Sequence, residues 1–121
     1  MILLDTNILI VILKGNPQTT RQLNDLGGPL AISSITTMEL IYGGRDKNEV
    51  QKLEKFIKLF HLIPLSETIS VRAIKLVTRY AKSHTLDIPD AIIAATALDH
   101  QARLLTYNQK DFRFISDLEL I

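Results

Sequence analysis

Short apolar runs alternate with longer segments of helical periodicity along the chain, and this alternation restricts its fold more than any other feature. The apolar runs predict buried strands at residues 2–4, 30–33, 61–63 and 103–106, with a weaker candidate at 118–121. The periodic segments predict helices over residues 6–14, 18–26, 35–42, 46–60, 67–84 and 88–101. This order favours a mostly parallel sheet covered by helices on both faces, joined by right-handed crossovers. We therefore predict an α/β fold.

The composition suits one domain spanning residues 1–121, because 46% hydrophobic residues are enough for a core of this size. The absence of cysteine excludes disulfides, thiolate zinc sites and cysteine nucleophiles. No basic region precedes the apolar N-terminal run, Asp5 interrupts it, and the stretch over 8–13 is too short to cross a bilayer, so we predict neither a signal peptide nor a membrane span. We expect a soluble, cytoplasmic protein. A net charge of +1 neither requires nor excludes a nucleic-acid partner.

Four acids occupy related positions in this predicted order. Asp5 directly follows the first strand, Glu39 lies about one turn into the helix after the second, Asp90 opens the helix over 88–101, and Asp111 follows the fourth strand. Ligands bind outside the carboxyl ends of parallel strands, so we expect these acids to converge at one edge of the sheet. Candidate hydrogen-bond partners lie beside them at Thr6, Asn7, Thr106 and Asn108.

Each acid also has a local explanation. Asp5 can cap its own helix, Thr36 and Glu39 match a T-x-x-E capping box, and Asn108 and Asp111 can cap a short C-terminal helix. Capping alone gives no reason for four carboxylates to meet at one edge, which favours a shared site.

The stretch "TLDIPDAIIAATAL" places two acids ahead of an apolar helix. Asp87 fits the N-cap position, Asp90 the N3 position, and Pro89 the first turn between them. Asp90 also falls on an apolar face of a helix that is apolar on all sides and is therefore predicted to be buried. Its carboxylate is expected to face a crevice, whereas Asp87 is expected to be a cap with at most an accessory metal role.

Carboxylates that lie close together require protons or cations to neutralise their charge. Two of them about 5 Å apart repel by roughly 3 kcal/mol at an effective dielectric near 20, so four could cost on the order of 10 kcal/mol. An all-oxygen site suits Mg²⁺ or Mn²⁺, and the three histidines have no ligand-type spacing. Such an ion activates water and orients a phosphodiester, so the acids favour metal-dependent hydrolysis of a phosphate ester.

Four motifs carry these acids in order: "LLDTNILI", "ISSITTMELIYGG", "IPDAIIAATAL" and "LLTYNQKDF". Together they resemble the PIN-domain ribonucleases, specifically the VapC-type toxins of prokaryotic toxin–antitoxin pairs, over nearly the whole chain. The resemblance implies a three-layer α/β/α domain that cleaves RNA endonucleolytically, forms a homodimer and is inhibited by a cognate antitoxin. It also implies a site for Mg²⁺ or Mn²⁺ at Asp5, Glu39, Asp90 and Asp111.

Within that implied site, Asp5 and Asp90 are expected to be the primary metal ligands. Asp111 either completes the site or holds a second ion, and Glu39 either binds through water or positions the attacking water. The chain departs from the family pattern at Tyr107, where arginine is more common. That change removes a cation from the neighbourhood of a phosphate, while a tyrosine can stack on a base.

A basic stripe is predicted along the helix over 67–84, at Arg72, Lys75, Arg79 and Lys82. The stripe fits either an RNA contact or a solvated face opposite the core. The same helix is expected to bury Ile74, Val77 and either Tyr80 or Ala81.

Three other classes of function share some of these sequence features. A phosphoacceptor receiver domain requires adjacent acids in its first acidic loop and a lysine at a late strand end, and this sequence has neither. A D-x-D phosphatase requires a second acid where residues 5–7 read Asp-Thr-Asn. A catalytically inert interaction module with the same fold remains as the alternative to a nuclease.

Overall fold

The computed structural model describes residues 1–121 as four strands, six α-helices and one 3₁₀ turn. The strands are β1 (Ile2–Leu4), β2 (Leu30–Ser33), β3 (His61–Ile63) and β4 (Arg103–Leu105). The helices are α1 (Thr6–Leu13), α2 (Pro17–Leu26), α3 (Ser34–Tyr42), α4 (Lys47–Ile57), α5 (Glu67–His84) and α6 (Ile88–Asp99), and the 3₁₀ turn is Gln109–Asp111. Every predicted strand except the weakest and every predicted helix is present, with ends shifted by up to three residues. The prediction that residues 61–63 are buried was wrong for His61 and Leu62, because β3 is an edge strand and only Ile63 is buried.

The four strands form one parallel sheet in the order β3-β2-β1-β4. After β3 the chain returns across the sheet to place β4 on the other side of β1. The strand order therefore reverses beside β1, which is where open parallel sheets bind ligands. The weak candidate at 118–121 is not a full strand, because only Leu120 forms a bridge, to Leu104 of β4.

Side chains of the sheet alternate between two cores. Leu3 and Leu104 face the core that contains α5 and α6, while Leu4 and Leu105 face the core that contains α1, α2, α3 and α4. Successive strand residues point to opposite faces, so three-residue strands buried on both sides read as continuous apolar runs. The structure confirms the predicted three-layer α/β/α fold.

Helix α6 is buried as predicted, since its alanines and Ile93 are almost inaccessible to solvent. The expectation for α5 was wrong at Ile74, which is 64% exposed. Tyr80 is buried as predicted, but Ile69 and Ala73 fill the place expected for Ile74, because α6 contacts α5 on that neighbouring face. None of the helices combines the length and the hydropathy that crossing a bilayer requires.

Candidate active site

Asp5 is fixed at the carboxyl end of the central strand. Its backbone N–H donates to the Leu105 carbonyl at 2.9 Å, which extends the β1–β4 pairing to this residue. Its carboxylate accepts hydrogen bonds from the Thr6 N–H at 2.8 Å and from the Thr106 hydroxyl at 2.7 Å. The residue is only 6% exposed. Burial raises the pKa of the Asp5 carboxyl, although the two hydrogen bonds oppose that rise.

Glu39 reaches the site from α3 through a hydroxyl bridge. Its Oε1 accepts from the Thr6 hydroxyl at 2.8 Å, and the same hydroxyl lies 2.9 Å from the Thr36 hydroxyl. The capping-box explanation was wrong, because Ser33 caps α3 by accepting from the Thr36 N–H at 3.2 Å. The Glu39 side chain is thus bonded to Thr6, which directly follows Asp5, rather than to the end of its own helix.

Asp90 lies in the first turn of α6, as predicted. Asp87 caps that helix by accepting from the Asp90 N–H at 2.9 Å, so the capping prediction for Asp87 is confirmed. The Asp90 carboxylate accepts no hydrogen bond from the protein and is half-buried. Burial, followed by the charge of Asp87 and by weaker repulsion from Asp5, Asp111 and Glu39, raises the pKa of Asp90 from 3.8 to about 7.

Asp111 ends the 3₁₀ turn that follows β4. The capping explanation was wrong here as well, because Asn108 makes no side-chain bond to this turn. The Asp111 carboxylate is half-buried and accepts no hydrogen bond, and its charge helps to raise the pKa values of both Asp5 and Asp90.

The four acids lie within electrostatic range of one another, but they do not form a closed ligand cluster. No three carboxylate, imidazole or thiolate side chains stand at metal-binding spacing. None of the three ion pairs in the structure includes any of the four, so no basic side chain balances their charge. Mutual repulsion between carboxylates favours such an open arrangement.

The donor set fits a hard divalent cation. It contains only carboxylate oxygens, and the oxygens of Asp90 and Asp111 have no protein donor to satisfy them. The Asp5 carboxylate is held by two hydrogen bonds, which is the support that a metal ligand needs to keep its orientation.

Polar residues after β4 complete the edge of the site. Thr106 Oγ1 donates to Asp5 and accepts from the Asn108 N–H at 3.0 Å and from Asn7 Nδ2 at 3.4 Å. The predicted partners Asn7, Thr106 and Asn108 therefore belong to one hydrogen-bond network around Asp5. Sequence reasoning missed Thr19 in α2, whose hydroxyl is hydrogen-bonded to the hydroxyl of Tyr107, and no local pattern indicates that contact.

The basic stripe lies on the exposed face of α5. Arg72 forms an ion pair with Asp99, with 3.4 Å between Arg72 Nε and Asp99 Oδ1. Lys75 and Lys82 form no ion pair. Both explanations of the stripe predict exposure, so an RNA contact there stays a prediction.

The family model for the PIN domain matches residues 2–117. The chain belongs to the PIN-domain family. This PIN domain is similar to Ribonuclease VapC10 of Mycobacterium tuberculosis, with 35% identity over 98% of this chain and 91% of the relative. That identity over nearly full length places the chain with the VapC ribonucleases.

Solved structures agree with the sequence comparison. This PIN domain superposes on a toxin–antitoxin complex from Klebsiella pneumoniae with a TM-score of 0.85 and 34% identity, covering 100% of this chain and 96% of that one. It superposes on VapBC2 from Rickettsia felis, bound to a DNA fragment from its promoter, with a TM-score of 0.85 and 31% identity, covering 100% and 98%. The first of these structural neighbours is thus a toxin–antitoxin complex, and the second is a VapBC complex.

Proposed function

We propose that this chain is a divalent-cation-dependent endoribonuclease that hydrolyses RNA phosphodiester bonds and acts as the toxin of a VapBC-type toxin–antitoxin pair. We further propose that residues 1–121 work as a single catalytic domain. The full-length similarity to VapC ribonucleases supports the activity, and the toxin–antitoxin complexes among its structural neighbours support the role.

The observation that carries the proposal is the environment of Asp5. It is a buried carboxylate at the carboxyl end of the central strand, at the point where the strand order reverses. The negative charges of Glu39 and Asp111 contribute to the raised pKa of Asp5. A purely structural role does not explain why acids from α3, α6 and the turn after β4 surround that position without any cation from the chain. A site that recruits Mg²⁺ or Mn²⁺ does explain it.

The hydrogen bonds and the solvent exposure of the four acids suggest a role for each. Asp5 and Asp90 are proposed as the primary ligands, with Asp111 completing the site or holding a second ion. When bound, Mg²⁺ or Mn²⁺ polarises the phosphodiester, lowers the pKa of a bound water and offsets charge on the leaving oxygen. Glu39 is exposed and oriented by Thr6, so it is proposed to bind or position the attacking water. Without a bound cation the pKa of Asp90 is raised to about 7, and coordination of Mg²⁺ or Mn²⁺ would keep this carboxylate ionised. The acid that accepts the proton during the reaction is not assigned.

The partners are proposed to be RNA, a cognate antitoxin and a second copy of the chain. A cavity of about 430 Å³ between α5 and α6 supports binding of a protein partner, because its lining is mostly apolar and includes Ile74 and Ile88, at 64% and 66% exposed. Exposed apolar patches of this kind mark interaction surfaces.

The proposal is tested by brief expression of the wild type and of Asp5→Asn in a host without antitoxin, followed by transcriptome-wide mapping of new RNA 5′ ends. Asp25→Asn is the matched control, since Asp25 is an exposed helical acid that forms no ion pair. We expect position-specific ends with the wild type and with Asp25→Asn, and none with Asp5→Asn.

The same ends from all three proteins, at equal soluble expression, would overturn the nuclease assignment. The inert interaction module would then be the better account of the fold. Purified protein that cleaves RNA with Mg²⁺ or Mn²⁺ but not after chelation would support the metal requirement, and full activity in chelator would contradict it.

A further inference from the structure

Tyr107 lies beside the proposed catalytic acids and is partly exposed to solvent. It directly follows Thr106, whose hydroxyl donates to the Asp5 carboxylate at 2.7 Å. Its backbone N–H donates to Asn7 Oδ1 at 3.4 Å, which ties its main chain to the start of α1. The residue is 49% exposed, so a substantial part of its side chain is accessible beside the proposed catalytic acids.

The far end of the same side chain is anchored. The Tyr107 hydroxyl is hydrogen-bonded to the hydroxyl of Thr19, a residue of α2 that is only 1% exposed. The ring is therefore held at its backbone and at its tip, while it forms no pair with another aromatic ring or with a cation. A fixed side chain loses little conformational freedom when a ligand covers it.

The other two tyrosines lack this combination. Tyr80 is buried and packs against His84 and Phe114, so its ring belongs to the core. Tyr42 is 92% exposed and its hydroxyl has no partner. Only Tyr107 joins an accessible ring to an anchored hydroxyl.

We propose that Tyr107 is a stacking platform for one unpaired base of the RNA, next to the bond that is cut. The inference rests on the proposed ribonuclease function for the identity of the ligand. A base in a duplex is already stacked on its neighbours, so the ligand is single-stranded RNA or a loop. The Tyr107 hydroxyl is already bonded to Thr19, so the proposed contact is made by the face of the ring, and stacking on that face tolerates any base.

The test compares Tyr107→Phe with Tyr107→Leu, both in an Asp5→Asn background that prevents cleavage. Both variants lose the bond to Thr19, but only the phenylalanine keeps an aromatic face. The probes are a short fluorescein-labelled oligoadenylate and an abasic ribose-phosphate oligomer of equal length and charge, and fluorescence anisotropy gives Kd. We expect Tyr107→Phe to bind oligoadenylate nearly as tightly as the parent, and Tyr107→Leu to bind it roughly 5- to 150-fold more weakly. The abasic oligomer should bind all three proteins equally.

Equal affinity of the two variants for oligoadenylate would overturn the inference, as would an equal loss by Tyr107→Leu on the abasic oligomer. Tyr107 would then be only a structural link between β4 and α2. Thr19→Val keeps the ring and removes its anchor, so it should weaken oligoadenylate binding less than Tyr107→Leu, and thermal melting confirms that each variant folds. Binding does not depend on cleavage, so a wild type that cuts no RNA yet shows the stacking pattern would refute the nuclease proposal alone.

Discussion

Substituting Asp90 by asparagine should stabilise the protein in metal-free buffer while abolishing its proposed activity. The Asp90 carboxylate is half-buried, accepts no hydrogen bond and is repelled by Asp87 and the other acids. Asparagine is nearly isosteric and neutral, so it removes the cost of burying a charge without removing a partner. A capping role for the Asp90 side chain would predict the opposite change in stability.

The pKa of Asp90 sets the size of the effect. A rise from 3.8 to about 7 spans about three pKa units, which corresponds to at most ~4 kcal/mol of destabilisation once the group is ionised. Solvent screening at a half-buried site reduces this to about 2 kcal/mol. For a chain of this size, we expect Asp90→Asn to raise the Tm by roughly 5 to 10 °C at pH 8.

The pH dependence follows from the direction of the shift. Because the pKa of Asp90 is higher in the folded state, the folded protein binds more protons than the unfolded chain between about pH 4 and 7. The stability of the wild type therefore falls as the pH rises through this window and levels off above it. The Tm difference between Asp90→Asn and the wild type should be largest at pH 8 and should shrink steadily toward pH 4.

Differential scanning calorimetry in chelator across this pH range measures both curves. Asp87→Asn is the control, because asparagine keeps the capping oxygen while removing the largest charge acting on Asp90. It should raise the Tm less than Asp90→Asn does, and it should add little when Asp90 is already asparagine. A lower Tm for Asp90→Asn at pH 8, or a difference that does not change with pH, would refute the electrostatic reasoning.

Three further predictions concern neighbours of the acids and the basic stripe. Thr106→Val removes the 2.7 Å hydrogen bond to Asp5, so the Mg²⁺ concentration needed for half-maximal cleavage should rise about 10- to 100-fold in a metal titration. An unchanged Mg²⁺ requirement would show that Thr106 does not support Asp5 as a metal ligand. Thr6→Val frees Glu39 and should lower kcat with little change in Tm, whereas Thr6→Ser should restore the rate in single-turnover assays. If the stripe contacts RNA, Lys75→Glu should weaken RNA binding and reduce the slope of log K against log salt by about one phosphate contact. A charge reversal on α4 should leave that slope unchanged. Identical slopes for the two variants would mean that the stripe is only a solvated face.

Local patterns were enough to predict the layers of the fold. Apolar runs of three or four residues between helical segments require strands buried on both faces, and such strands pair in parallel. The position of Asp5 at the end of β1 and the cap at Asp87 followed from the same patterns, because strand ends and helix starts depend on residues within a few positions. Ligands bind outside the carboxyl ends of parallel strands, which predicted that the four acids meet at one edge of the sheet. The charges of Asp5, Glu39 and Asp111 all raise the pKa of Asp90, in agreement with that placement.

Tertiary structure alone decided the partners within that edge. The capping box expected at Glu39 gave way to a bond with Thr6, a residue 33 positions away. The anchor between Thr19 and Tyr107 joins residues 88 positions apart, and nothing in either local sequence indicates it. Periodicity reports whether a side chain is buried or exposed, but it contains no information about which distant element crosses nearby. Residue types and spacing therefore determined the chemistry available to this protein, whereas the packing of α1, α2 and α3 against the sheet determined which oxygen contacts which.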